Sequence, residues 1–218
     1  MTDTAKKDHK RQLKALELRE QEISVAKAEI DLEIRLLDRV RHNHQHGLLL
    51  DSNTGTFRLE DAVYSEVLSL GTAMQRWGDA HPGAPLTLYI FSPGGSVLHG
   101  LALYDTLRTL SREGHEITTV IRGFAGSMAS VLFLAGDVRK IGAESIIHQH
   151  EPSSMAYGKL SEMTDANEFV KTLFEKITRI YVDRTSMTRT TFRKKTVGKE
   201  WHAEAAEALA LGLATEIA

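Results

Sequence analysis

Gly123-Phe124-Ala125-Gly126-Ser127-Met128-Ala129-Ser130 runs directly into the apolar stretch Val131-Leu132-Phe133-Leu134-Ala135, which seats one hydroxyl among small residues where a strand is expected to turn into a helix. A serine hydroxyl is a poor nucleophile alone. It needs a base within reach and backbone N–H groups to receive the oxyanion that forms, and the flanking glycines and alanines leave room for both. The same residues also describe a helix entry packed on a strand, with Ser127 as its N-cap, and the stretch by itself does not separate the two readings.

Upstream, Leu86-Thr87-Leu88-Tyr89-Ile90 reads as a buried strand running into Phe91-Ser92-Pro93-Gly94-Gly95-Ser96. Paired glycines let the backbone take positive φ and approach a ligand closely, so that their amides can line a cleft. Val97, Leu101, Tyr104, Asp105 and Leu107 then follow at helical spacing, as the crossover helix of a βαβ unit would. A base for Ser127 has to be a histidine, and the strand Ser145-Ile146-Ile147-His148-Gln149-His150 offers two on one face, because side chains two apart on a strand point the same way.

The 218 residues suffice for one core of ordinary size, and a net charge of −2 argues against a nucleic-acid partner held by bulk charge. The absence of cysteine excludes a disulfide framework and thiol chemistry. With no secretory apolar segment and no run of membrane-spanning length, the expected location is the cytoplasm.

Composition changes near residue 45. Residues 5–41 are rich in Lys, Arg and Glu, and Leu16, Ile23, Ile30 and Leu37 fall seven apart, with Arg19 and Glu33 interrupting the seam. The expected organisation is a charged helical arm over 1–45, either a coiled coil or a solvated helix, and a globular domain over 46–218. Thr54-Gly55 reads as a turn and Leu59 to Trp77 as an amphipathic helix. His42, His44 and His46 alternate at the junction, but no carboxylate or cysteine stands at a helpful spacing, so no metal site is assigned.

The order and wording of these parts resemble the Clp protease proteolytic subunit (ClpP) family of serine peptidases. Ser92-Pro93-Gly94-Gly95-Ser96-Val97 followed by Gly100-Leu101-Ala102-Leu103-Tyr104-Asp105-Thr106 looks like the family's glycine turn and first long helix. Ala125-Gly126-Ser127-Met128-Ala129 looks like its nucleophile motif with Gly126 in place of an alanine. Ala205 to Ile217 looks like its closing helix, turn and strand. The charged leader and Ala135-Gly136-Asp137-Val138-Arg139 are nearest to ClpP-like proteins of actinobacterial phages and prophages. The resemblance covers about residues 48–218.

It implies an α/β fold, a ClpP/crotonase-like spiral of ββα units with an N-terminal charged helical extension. It implies peptide-bond hydrolysis through an acyl-enzyme, with Ser127 as nucleophile, the amides of Gly95 and Met128 as oxyanion hole, and no metal or cofactor. Counting from Ser145 as the family does makes His150 the base, which is the expected assignment; matching the family's Ile-His-Gln triplet to Ile147-His148-Gln149 gives His148 as the alternative. The family's aspartate position, counted back from Gly212, falls on Glu200, whose extra methylene displaces the carboxylate unless the backbone compensates. Asp183 is the substitute acid.

The resemblance further implies a homo-oligomeric ring, a heptamer or double ring, joined through a handle from Pro152 to about Glu168, and an AAA+ ATPase partner acting on peptide or protein substrates. Phage protein processing is a second setting for the same activity. Two other functions fit the same residues: a catalytically weak ring or scaffold subunit, which the Glu200 replacement keeps open, and a crotonase-type acyl-CoA enzyme, which uses two backbone amides but does not require Ser127 and a histidine together.

Overall fold

The computed structural model describes Lys14, residues 54–153 and residues 159–218. The expected helical arm, the alternating histidines at 42, 44 and 46, and the middle of the expected handle lie outside the described residues. In chain order the described elements are β1 (Thr56–Leu59), α1 (Glu66–Ala80), β2 (Leu86–Ser92), α2 (Val97–Arg112), β3 (Ile117–Gly126), α3 (Met128–Phe133), β4 (Val138–Ile141), β5 (Ile146–Gln149), α4 (Leu160–Arg184), α5 (Arg189–Thr196), β6 (Trp201–Glu204), α6 (Ala205–Ala210) and β7 (Glu216–Ile217).

Leu86, Leu88 and Ile90 alternate into the core along β2, the period a half-buried strand requires. On α2 the buried stripe is Gly100, Leu103, Leu107 and Leu110, and the Ser96 side chain caps the helix by accepting from the His99 N–H. The helix expected from Leu59 begins only at Glu66. Phe57 and Leu59 point inward on β1, paired with Leu88 and Ile90 of β2, so pairing at the sheet edge overrides the helical phase there. The last part of the expected handle is the first part of α4.

The sheet runs β1-β2-β3-β4-β7 with every neighbour parallel. The long strand β3 serves two partners on its other edge: Thr118–Ile121 pairs with β4, whereas Phe124–Gly126 pairs with β5. Between the halves stands Gly123 at φ +88°, its N–H donating to Ser145 Oγ at 2.8 Å. That left-handed residue re-aims the strand at little cost because it has no Cβ. β6 then adds antiparallel to β5.

Every residue of Met128–Ala135 is buried. A helix as short as α3 has no stability of its own. It is held by the core, where each fully buried Val, Leu or Phe contributes roughly 1.5–3 kcal/mol.

Beyond α3 the chain is pinned by polar contacts. Asp137 accepts from Arg108 Nη1 at 2.6 Å, from Ser111 Oγ at 2.9 Å and from the Ile117 N–H at 3.1 Å. The buried Arg139 guanidinium donates to the carbonyls of Leu213, Gly212, Gly136 and Arg184, tying the C-terminal turn to the sheet. Burial alone would raise the Asp137 pKa, but the hydrogen bonds from Arg108, Ile117 and Ser111 outweigh it and hold the carboxyl below its ordinary value.

A depressed native pKa means that stability is complete above the ordinary Asp range and is lost as pH falls through the native value. Asp137→Asn is therefore expected to destabilise the fold at neutral pH by about 1–2 kcal/mol. Thermal melting should show the gap to wild type narrowing on acidification.

Candidate active site

Ser127 lies where β3 ends and α3 begins, at φ 49° and ψ −121°, and is the one non-glycine residue with positive φ among the described residues. Such a backbone costs of order 1–3 kcal/mol and persists only where its surroundings over-determine it. Here they do. The Ser127 N–H donates to the His148 carbonyl at 2.7 Å, and the Ser127 carbonyl accepts from the Ser130 N–H at 3.0 Å and from Ser130 Oγ at 2.6 Å. Ser127 occupies the N-cap position of α3, yet its side chain makes no capping hydrogen bond. The bland reading of this serine as a helix cap therefore has no bond to support it.

The glycine turn closes on the same spot. A Cβ on Gly94 (φ +90°) would lie 2.4 Å from the Gly126 carbonyl oxygen, 2.8 Å from the Met128 nitrogen and 2.8 Å from Ser127 Cβ. Only glycine allows this approach. Gly95 (φ +150°) passes equally close to the backbone of Val63. The amides on either side of it are engaged, Gly94 N–H with Ser92 Oγ at 3.1 Å and Ser96 N–H with the Val63 carbonyl at 2.7 Å. Gly95 itself is exposed, and its N–H takes part in neither bond.

His148 sits in β5 opposite Gly126 on one side and opposite His202 of β6 on the other. Its Nε2 is 2.5 Å from Glu200 Oε2. The ring is stacked between neighbours, with centroids 4.5 Å from His202, 5.3 Å from His150 and 6.0 Å from Phe124. The His148 side chain is 19% exposed and that of Glu200 is 64% exposed. The hydrogen bond from His148, aided by the charges of His150 and His202, holds the Glu200 carboxyl below the usual carboxylate range.

The structure thus brings Glu200 to His148, while His150 stands just past the end of β5 with its ring against that of His148. Asp183 is exposed on α4. Two residues are about 200° apart on a helix, so it is Tyr181 that faces inward, fully buried, with its hydroxyl 2.8 Å from Ser130 Oγ. Among the described residues no group of three or more His, Cys, Asp or Glu is placed to hold a metal ion, and no helix is long and apolar enough to cross a membrane.

Sequence reasoning passed over His202, Ser130 and Tyr181. His202 was legible only through the alternation of Trp201 and Ala203 around it, and Ser130 through its place one turn beyond Ser127. Nothing local marks Tyr181.

Comparison with known proteins gives this geometry a lineage. The family model described as Clp protease matches residues 74–218.

The chain belongs to the Clp protease family.

Its sheet, with the β5–β6 pair branching from β3, is the α/β architecture of the ClpP/crotonase-like fold. It is 34% identical over 135 residues to the ATP-dependent Clp protease proteolytic subunit of Chlorella vulgaris, covering 61% of this chain and 65% of that one. Proteins of the same name from Bacteroides fragilis and Chaetosphaeridium globosum are 36% identical over 104 residues (47% and 49% of the two chains) and 30% identical over 158 residues (71% and 74%). The chain spans less than two thirds of the length of the Chlorella and Bacteroides proteins.

The close approach at Gly94 makes a prediction about this member of the Clp protease family. Gly83, at φ +76° with open space around it, is the control: Gly83→Ala carries only the left-handed strain of about 1–2 kcal/mol. Gly94→Ala adds overlap with backbone atoms and should be worse by at least ~1 kcal/mol. Denaturant melts of the two variants measure the difference.

Proposed function

We propose that the chain is a serine endopeptidase that hydrolyses peptide bonds through an acyl-enzyme, with Ser127 as nucleophile, His148 as base and Glu200 as the group that orients it. The observation that carries this reading is the double engagement of residue 148. Its backbone carbonyl receives the Ser127 N–H, and its ring bonds Glu200. One residue therefore links the candidate nucleophile to the candidate acid, and it is this geometry that favours His148 over His150 as the base.

With Nε2–H donated to Glu200, the neutral ring keeps its lone pair on Nδ1. Ser127 Oγ attacks the scissile carbonyl carbon as its proton passes to that nitrogen. The tetrahedral oxyanion is received by the N–H groups of Gly95 and Met128. Collapse breaks the C–N bond, the leaving amine takes the proton from His148, and the acyl group stays on Ser127 Oγ. A water that gives its proton to His148 then attacks the ester, and the acid departs as the proton returns to Ser127.

The relatives' name, ATP-dependent Clp protease proteolytic subunit, supports extending the reading to a proteolytic subunit served by an ATPase, and the family resemblance extends it to a ring that encloses its peptide or protein substrates in a chamber. A catalytically weak ring subunit is the second reading, favoured by the exposure of Glu200.

A fluorophosphonate probe tests the proposal. Wild type is expected to be labelled, and Ser127→Ala not at all. His148→Ala should slow labelling by ~10²-fold or more, whereas His150→Ala should change it little. Glu200→Gln should fall well short of the ~10⁴-fold loss seen when a buried triad carboxylate is neutralised. A wild type that is never labelled overturns the proposal, and a dominant effect of His150 would reassign the base.

A further inference from the structure

The Ser127 carbonyl and the Met128 N–H belong to one planar trans peptide unit. Whatever fixes that oxygen also fixes the direction in which the N–H points. The oxygen is held from the α3 side by Ser130, whose Oγ donates to it at 2.6 Å and whose N–H donates at 3.0 Å. The N–H end lies beside Gly94, where a Cβ would stand 2.8 Å from the Met128 nitrogen.

Ser130 is itself 1% exposed, and its hydroxyl is 2.8 Å from the Tyr181 hydroxyl and 3.2 Å from Gln149 Oε1. A serine hydroxyl has one proton to give. Its shortest contact is with the Ser127 carbonyl, so the Tyr181 hydroxyl is the donor in their shared bond. Burial pushes the Tyr181 phenol well above its ordinary pKa, so that proton is retained throughout the neutral range. The bonds therefore run one way: Tyr181 O–H to Ser130 Oγ, and Ser130 O–H to the Ser127 carbonyl.

We propose that Ser130, held by Tyr181, is a positioning residue that locks the Ser127–Met128 peptide so that the Met128 N–H is aimed at the reacting carbonyl oxygen before substrate arrives. The proposal rests on the serine-peptidase reading above. Preorganised donors are effective because they need no reorganisation during reaction. A peptide free to tilt about its flanking bonds would lose that advantage without losing the nucleophile, the base or the substrate surface. The two bonds to its carbonyl also help hold the left-handed backbone of Ser127, alongside the bond from its N–H to the His148 carbonyl.

The test is the kinetics of fluorophosphonate labelling in the full chain, separated into the maximal rate of inactivation and the probe concentration giving half that rate. Removing one oxyanion donor outright costs ~10²–10³-fold in rate, so misaligning one in Ser130→Ala is expected to lower the maximal rate by about tenfold or more, with the half-saturating concentration unchanged. Tyr181→Phe, which removes a single oxygen, is expected to lower it by a smaller factor, about threefold. Because the tyrosine acts through the serine, the double variant should be no slower than Ser130→Ala alone. Loss of packing would instead give additive losses and a weakened half-saturation.

Maximal rates within twofold of wild type in both single variants overturn the inference while leaving the peptidase reading intact. Additive losses overturn it too. If Ser130→Ala does not fold, an unchanged rate in Tyr181→Phe still overturns it. A wild type that is never labelled overturns the peptidase reading, and this inference falls with it.

Discussion

The hydrogen bond from the Ser127 N–H to the His148 carbonyl is the contact on which the site depends. It joins the end of β3 to β5 at the point where β3 has already left β4, and it fixes a residue whose backbone would otherwise leave the left-handed region. The change of partner at Gly123 makes it possible. Had β3 continued beside β4, residue 127 would face a strand with no histidine. Strand register, a glycine hinge and a strained serine thus form one constraint, and the buried run of α3 anchors it from below.

Much of this was legible in the chain. The strand before Pro93, the stripe of α2, the strand-to-helix passage at Ser127 and the strand at 146–149 are stated by local pattern, and the closing helix, turn and strand by the family resemblance. Their signals are periodic or rest on glycines at positive φ, such as Gly94 and Gly212. The start of α1 was misread because Leu59 fits a helical phase as well as a strand, and only pairing with Ile90 decides between them.

The site residues divide in the same way. The small neighbours of Ser127 mark it as a candidate, but they describe a helix cap equally well until its side chain is seen to make no capping bond. Choosing between His148 and His150 needs the register of β5 against β3 and β6, which no local pattern carries: both lie on one face, and their rings touch. Tyr181 and Ser130 are 51 positions apart, and their contact exists only because α4 crosses α3. Asp183, the substitute acid named from the sequence, is exposed because the helix phase turns Tyr181 inward in its place.

Glu200 raises the remaining physical question, how an exposed carboxylate can serve an imidazole. Ion pairs in solvent are weak, commonly worth less than about 1 kcal/mol, so this carboxylate cannot stabilise an imidazolium as a buried one does. In the proposed mechanism it supplies direction, by accepting from Nε2 and so leaving Nδ1 as the basic nitrogen. Restraint also comes from ring stacking, since the His148 ring stacks with those of His202, His150 and Phe124. Stacking restrains the ring while leaving one edge to Glu200. On the proposed mechanism, orientation by rings and tautomer by carboxylate are separate tasks, and only the second would fall to the longer side chain at 200.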